Sequence, residues 1–144
     1  MENTMQRQSV RHPDIEWVDI NFLKEHEAVK EKKAAAYLRF ASRRKTIRAK
    51  PILIDRKTGV ILDGHHRYFV AKRIGLPIVP CICVDYLEDD TIMVLPRKRE
   101  IPVSKKAVIN MGLSGETFPP KTTKHIYVIP AMHRIVTYNP KHKN

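Results

Sequence analysis

The chain of 144 residues is poor in glycine, cysteine and acidic side chains, with 5 Gly, 2 Cys and 15 Asp and Glu. It has no apolar segment long enough to cross a bilayer, which argues against a membrane-spanning helix. Residues 1–12 lack the apolar core of a secretory signal and are predicted to form a flexible N-terminus. From these absences we expect a cytoplasmic protein without a membrane partner.

Both cysteines, Cys81 and Cys83, lie in the apolar run 78–84. On a strand, residues two apart point to the same face. A Cys-x-Cys pair without a second pair is weak evidence for a metal. We therefore interpret the two residues as core cysteines of a protein in a reducing compartment.

The charge of the chain is strongly unbalanced, with 27 Lys and Arg and a net charge of +12. Such a surplus attracts nucleic acids and nucleotide phosphates alike. The basic runs 43–45 and 97–99 favour nucleic-acid binding as an alternative function. The length and the 42% apolar content are those of one ordinary globular domain.

Alternating strand and helix patterns predict an α/β (α+β) fold, with a small mixed sheet flanked by helices, in a single domain over residues 13–144. Residues 103–144 form a C-terminal extension of this domain. Strands are predicted near 17–20, 51–55, 60–63, 78–85 and 91–95, and an apolar stretch at 126–130 closes the fold. Helices are predicted near 27–43, 65–74 and 104–113, with Gly75 closing the second and Ser104 capping the third.

The most informative motif is the run Asp63-Gly64-His65-His66-Arg67, at the junction of a predicted buried strand and a helix. Glycine lets a ligand approach the backbone, and the first helical turn offers free N–H groups at the positive end of the dipole. This combination predicts a phosphate site. Arg67 can bind phosphate with two hydrogen bonds, and Asp63 can hold Mg²⁺ against it. The alternative is a helix cap beside two surface histidines.

Zinc is a second ligand to consider for His65 and His66. Adjacent residues on a helix point about 100° apart, so that both rarely reach one ion. The sequence has no HxxxH spacing and no cysteine partner for them. Zinc is therefore disfavoured at this motif.

Two further segments carry residue types suited to chemistry. The first is a predicted loop that follows two prolines and consists of Lys121, Thr122, Thr123, Lys124 and His125. Its hydroxyls and lysines suit a phosphate, and the alternative is a solvated basic loop. The second is His26-Glu27 at the predicted start of the first helix. From the residues alone Glu27 is more simply a partner of the helix dipole, and a general base is the alternative.

The order strand, Asp-Gly-His-His-Arg, helix, strand resembles the ParB/sulfiredoxin-like fold. ParB proteins carry a Gly-Glu-Arg-Arg type of box at this junction. This chain lacks that box and also lacks an obvious helix-turn-helix domain. Sulfiredoxins carry a reactive cysteine where this chain has His65. The resemblance therefore extends to the fold alone, and the missing cysteine argues against sulfiredoxin chemistry.

Three motifs in order resemble the free L-serine kinases over residues 15–130: His26-Glu27, the Asp63–Arg67 box and the segment Phe118–His125. The resemblance implies a kinase of serine and cysteine metabolism that uses Mg²⁺ to transfer a phosphoryl group from ATP or ADP to free L-serine, giving O-phospho-L-serine. It implies that Glu27 is the base. It implies that the box binds phosphate and metal, with Asp63 and His65 catalytic, and that Lys121 to His125 form a second phosphate wall.

One departure from this family concerns the acceptor. Its members often carry a tryptophan between the box and the later loop, whereas Met93 to Arg97 contain none and Trp17 is the sole tryptophan. The identity of the acceptor beyond a small hydroxyl compound therefore stays open. A non-enzymatic ParB-like module that binds nucleotides or DNA, and a nucleotide hydrolase, are the alternative functions.

Overall fold

The computed structural model describes residues 14–42 and 46–139. The strands are β1 (Ile15–Asp19), β2 (Ile47–Ala49), β3 (Ile52–Asp55), β4 (Ile61–Asp63), β5 (Ile78–Val84), β6 (Met93–Pro96), β7 (Thr123–Ile126) and β8 (Val136–Tyr138). The α-helices are α1 (Glu31–Ser42), α2 (His65–Arg73) and α3 (Lys105–Ser114). Short 3₁₀ turns cover Ile20–Phe22 and Pro130–His133.

A mixed four-stranded sheet in the order β1-β5-β3-β4 is the centre of the molecule. Strands β3 and β5 are parallel, and the other two pairings are antiparallel. Two antiparallel ribbons, β2 with β8 and β6 with β7, complete the strands. The predicted small mixed sheet is confirmed.

The sheet is apolar on both faces, and each face has its own core. Alternate residues of β3 and β5 face opposite sides, because strand side chains have a period of two. One core joins the sheet to α2 and contains Ile52, Ile54, Tyr68, Ala71, Val79, Cys81 and Cys83. The other joins it to α3 and contains Leu53, Ile82, Val84, Val108 and Ile109. Helices therefore flank the sheet on both faces, as predicted.

The two cysteines lie in the first of these cores as buried free thiols. Burial raises the pKa of both, to about 11 for Cys83. A raised thiol pKa reduces the thiolate fraction, which is the form that binds metals and attacks disulfides. The interpretation of Cys81 and Cys83 as core residues is confirmed.

Local signals correctly predicted the ends of α2 and α3. The Ser104 hydroxyl accepts a hydrogen bond from the Ala107 N–H at 3.0 Å, which caps α3. Gly75 has a φ of +79°, the left-handed conformation that ends a helix and favours glycine. None of the helices within 14–42 and 46–139 has the length and apolar run needed to cross a membrane.

The first helix begins later than predicted, at Glu31 instead of near Glu27. The segment before it is held in an extended form by Phe118, whose N–H donates to the His26 carbonyl at 2.8 Å and whose carbonyl accepts from Ala28 at 2.9 Å. This long-range pairing overrides the local helix pattern. The prediction of Glu27 at a helix start is wrong, so that its interpretation as a dipole partner fails too.

Two strands were missed, one predicted loop needs correction, and three predicted segments lie outside the described residues. Strands β2 and β8 were not predicted, because each is a three-residue segment stabilised by the other across the fold. Thr123–His125, predicted as loop, belong to β7 and pair with β6. Residues 1–12, the basic run 43–45 and the tail from 140 lie outside the described residues.

Gly112 supplies a test of the packing between α3 and the sheet. A Cβ added there would lie 2.6 Å from Cγ2 of Val60, in the second core. We expect Gly112→Ala to lower the free energy of unfolding by about 1–3 kcal/mol through overpacking, despite the better helix propensity of alanine. Urea titration measures the change. Asn110→Ala, at an exposed position of the same helix, is the control and should not lower the free energy of unfolding. Equal stability of the two variants would contradict this packing.

Candidate active site

A wide cleft of about 1000 Å³ opens at the N-terminal end of α2. Nearly all the residues singled out in the sequence line it: Glu27, Asp63, Gly64, His65, His66, Arg67, Lys121, Thr123, Lys124 and His125. Thr122 does not line the cleft. It is fully buried, and its hydroxyl donates to the Pro119 carbonyl at 2.6 Å. The three motifs, far apart in the chain, therefore share one cavity.

The cleft is strongly cationic. Eight basic side chains and two carboxylates line it; the basic ones are Lys30, Lys33, Arg48, Lys50, Arg67, Arg97, Lys121 and Lys124. The neighbouring Lys30, through a hydrogen bond and its charge, lowers the pKa of Lys121. Among the described residues, the ion pairs of the structure engage only Arg67 of these eight. Such crowding of like charge is complementary to an anionic ligand.

The start of α2 has the geometry of an anion site. Gly64 is the N-cap residue of the helix and has a φ of +111°. Because it has no side chain, it makes no capping hydrogen bond to the N–H groups of the first turn. An added Cβ would lie 3.2 Å from two side-chain atoms of Ile52, so that the backbone lies against the sheet. The N–H groups of the first turn therefore face the cleft without a side-chain cap, at the positive end of the dipole.

Asp63, at the end of β4, is held by two neighbours. The Tyr127 hydroxyl donates to Oδ2, and an Arg67 nitrogen lies 3.9 Å from Oδ1. Arg67 also donates to the Pro51 carbonyl. Burial, and then the hydrogen bond to Asp63, raise the pKa of Tyr127. Asp63 is therefore oriented toward the cleft with one oxygen beside Arg67.

This arrangement is compatible with Mg²⁺. Magnesium in phosphate sites is held by one or two carboxylates together with substrate phosphates and water. Asp63, beside the helix start, provides one such carboxylate. Across residues 14–42 and 46–139, no three His, Cys, Asp or Glu side chains are grouped to hold a metal by themselves. The donor set therefore fits a metal that shares its coordination with a phosphate.

Glu27 is fastened to the segment that contains the second motif. Its Oε1 accepts hydrogen bonds from the Thr123 N–H at 2.9 Å and the Thr123 hydroxyl at 2.8 Å. Its Oε2 accepts from the Lys121 N–H at 2.9 Å. Lys121 has a φ of +60°, unusual for a residue other than glycine. The carboxylate thus holds this turn, and Oε2 retains a lone pair for a ligand.

Three histidine rings pack together, and two of them, His65 and His125, line the cleft. The rings of His65 and His125 meet that of His26 edge-on, with centroids 4.6 Å and 5.8 Å away. The His26 N–H donates to Nε2 of His65 at 3.3 Å, and Nε2 of His125 lies 2.8 Å from the Tyr86 hydroxyl. Burial lowers the pKa of all three, to about 3 for His125. The rings are therefore neutral at neutral pH.

Sequence reasoning missed several residues of the cleft. Lys30, Lys33, Arg48, Lys50 and Arg97 line it but lie outside the three motifs. Tyr127 is not among the lining residues but bonds to Asp63. It lies in the apolar stretch 126–130, where no sequence pattern marked it as functional.

No family model matches the chain. It is 26% identical over 182 aligned residues to a ParB-like protein of Sulfolobus acidocaldarius, covering 78% of this chain and 90% of that protein. It is 28% identical over 81 residues to the ADP-dependent L-serine kinase SerK of Thermococcus kodakarensis, covering 54% of this chain and 33% of that enzyme.

The fold of the chain matches those of solved structures over most of its length. A free serine kinase in complex with AMP superimposes with a TM-score of 0.74 at 15% identity, covering 91% of this chain and 94% of that one. The chain has the fold of the free serine kinases. Truncated SbnI from Staphylococcus aureus gives a TM-score of 0.60 at 14% identity, covering 78% and 82%. The predicted resemblance and the α+β fold class are confirmed.

The buried histidines predict a loss of stability in acid. The pKa of His125 is about 3 in the folded protein, against 6.5 when unperturbed. Below pH 6.5 the unfolded chain therefore binds a proton that the folded chain does not, and stability falls as the pH drops toward 3. The expected loss for one such histidine is about 1.4 kcal/mol per pH unit.

This dependence can be measured by urea unfolding between pH 7 and pH 4, with His125→Gln as the test variant. We expect a shallower pH slope than in the wild type, whatever the absolute stability. The exposed His133 provides the matched control, since His133→Gln should retain the wild-type slope. A wild-type slope in His125→Gln would disprove the assignment of a buried neutral ring.

Proposed function

We propose that the protein is a cytoplasmic kinase that uses Mg²⁺ and transfers a phosphoryl group from ATP or ADP to free L-serine, giving O-phospho-L-serine. One observation carries the proposal: the Glu27 carboxylate and the helix start at Asp63–Arg67 face the same cationic cleft. A hydroxyl acceptor needs a nearby carboxylate, and a phosphoryl donor needs positioned charge. The cleft offers both.

The donor phosphates are proposed to lie against the start of α2. Gly64, His65 and His66 offer backbone there, and Arg67 offers a guanidinium. The cleft also has apolar lining residues that suit a nucleotide base: Ile47, Val70, Ile74, Val79 and Tyr138. A free serine kinase of the same fold has been solved with AMP, and a mutant of a free serine kinase with ADP, which supports a nucleotide in this cleft.

The second wall of the phosphate site is proposed to come from the C-terminal extension, residues 103–144. Lys121 and Lys124 would offset phosphate charge. Thr123 and His125 shape the wall through their hydrogen bonds to Glu27 and Tyr86. Thr122 would act indirectly, by fixing the turn through its bond to Pro119.

Magnesium, when bound at Asp63, would neutralise part of the phosphate charge. Tyr127 and Arg67 orient the Asp63 carboxylate for this role. Glu27 would take the proton of the acceptor hydroxyl on the free lone pair of Oε2. The expected contribution of such a base is about 10²–10⁴-fold in rate.

A ParB-like module that binds nucleotides or DNA without catalysis is the second candidate. The similarity to a ParB-like protein over 78% of the chain and the eight basic residues of the cleft favour it. Counterion release makes DNA binding fall steeply with salt. A salt titration of DNA binding by fluorescence anisotropy would therefore distinguish a polyanion site from a site for one nucleotide.

The direct test is to incubate the protein with L-serine, Mg²⁺ and either ATP or ADP, and to detect O-phosphoserine by mass spectrometry. We expect product with at least one donor, since the cleft provides a base and a phosphate site together. Glu27→Gln should lower kcat by about 10²-fold or more, because the base is lost. Glu116→Gln, at an exposed glutamate after α3, is the matched control and should retain activity.

The other outcomes each reject a defined part of the proposal. Nucleotide consumption without O-phosphoserine would reject serine as acceptor and indicate a hydrolase or another acceptor. An active Glu27→Gln variant would reject Glu27 as the base. No turnover with either nucleotide, together with salt-sensitive DNA binding, would favour the ParB-like module.

A further inference from the structure

The hydroxyl of Thr123 lies between two hydrogen-bond acceptors. Its oxygen is 2.8 Å from Oε1 of Glu27 and 3.0 Å from Nε2 of His26. On the other side of the ring, Nδ1 of His26 is 2.6 Å from the Ile61 carbonyl oxygen. The His26 side chain is fully buried. One hydrogen-bonded chain therefore runs from the protein interior to the carboxylate in the cleft.

The protons of this chain can be assigned from what each atom is able to do. A carbonyl oxygen only accepts, so that Nδ1 of His26 must carry a proton toward Ile61. Burial lowers the pKa of His26, which keeps the ring neutral and Nε2 a bare acceptor. Thr123 has a single hydroxyl proton. Two acceptors, Nε2 of His26 and Oε1 of Glu27, therefore compete for one proton.

The charge of Glu27 decides this competition. An ionised carboxylate attracts the hydroxyl proton more strongly than a neutral ring nitrogen does, and Nε2 of His26 is then left without a donor. When Glu27 is protonated on Oε2, Oε1 becomes a weak neutral acceptor that still has the Thr123 N–H. The hydroxyl is then free to turn to His26. The buried network is fully satisfied only in this second state.

We propose that His26 is a positioning residue that favours proton uptake by Glu27, because the Thr123 hydroxyl bond held by the ionised carboxylate passes to Nε2 of His26 when the carboxylate is neutralised. This inference rests on the proposed role of Glu27. In the transfer, the acceptor oxygen bonds to the terminal phosphorus as the bond from that phosphorus to its bridging oxygen breaks. The shortened nucleotide leaves with the electron pair, and the acceptor proton goes to Glu27.

The reversal can be tested without any substrate, by ¹⁵N NMR of the histidine rings. Glu27→Gln removes the charge but keeps an acceptor oxygen for the Thr123 N–H. We expect the Nε2 resonance of His26 to move upfield in this variant, because the nitrogen gains a hydrogen bond. Adding Thr123→Val should abolish the shift, whereas adding Thr123→Ser should preserve it. An unchanged Nε2 resonance in Glu27→Gln would overturn the proposal.

Two controls make the spectra specific. Nε2 of His125 lies 2.8 Å from the Tyr86 hydroxyl and should not respond to the Glu27 charge. Adding Thr91→Val removes an exposed threonine hydroxyl that bonds to Asp89 and is not part of the cleft, so it should leave the His26 shift intact. A loss of the His26 shift in this control would show a structural effect and overturn the assignment to Thr123.

Kinetics provide the second test. His26→Phe removes the second acceptor of the Thr123 hydroxyl, so it should lower kcat about tenfold, the size of one neutral hydrogen bond, with little change in the nucleotide KM. In a Thr123→Val background the same His26→Phe change should have little further effect on kcat, because the hydroxyl that links the two residues is already gone. A rise in KM alone, or an equal loss in both backgrounds, would overturn the proposal. Absence of O-phosphoserine in the wild type would reject the proposed function, while the NMR result would still decide whether the hydroxyl reverses.

Discussion

The cleft depends on the interaction between the Glu27 carboxylate and the turn at Lys121–Thr123. Three hydrogen bonds join groups more than ninety residues apart in the chain. Backbone bonds from Phe118 hold the same segment in an extended form. One charge therefore fixes both the conformation before α1 and a turn in which Lys121 has a positive φ. A neutral side chain would hold these amides less strongly, since charge-assisted hydrogen bonds are the stronger ones.

The surplus of positive charge is concentrated where it can act. Eight basic residues line one cavity, and the N-terminal end of α2 adds its dipole. Like charges in the cleft repel one another, and Lys30 lowers the pKa of Lys121 beside it. The phosphate group proposed to bind there would relieve that repulsion. The same field would attract nucleic acid, which is why charge alone does not separate a kinase from a DNA-binding module.

Sequence patterns predicted the parts of the fold that depend on neighbouring residues. The Ser104 cap, the Gly75 turn and the cysteines on one strand face all follow from local rules. The start of α1 could not be predicted this way, because Phe118 determines it from the other end of the chain. For the same reason the motifs identified ten of the residues that line the cleft but not Lys30 or Arg97, nor Tyr127 beside Asp63, because these reach their places through tertiary packing.

The uncharged state of the histidines suits a cleft of this kind. Imidazolium rings at His26, His65 and His125 would add charge to a site already rich in cations. Burial prevents this by lowering each pKa, so that the rings act as neutral donors and acceptors at defined atoms. A neutral His26 can then accept the Thr123 hydroxyl bond, which an imidazolium could not. The apolar core beneath the cleft thus sets the hydrogen-bonding chemistry of the carboxylate above it.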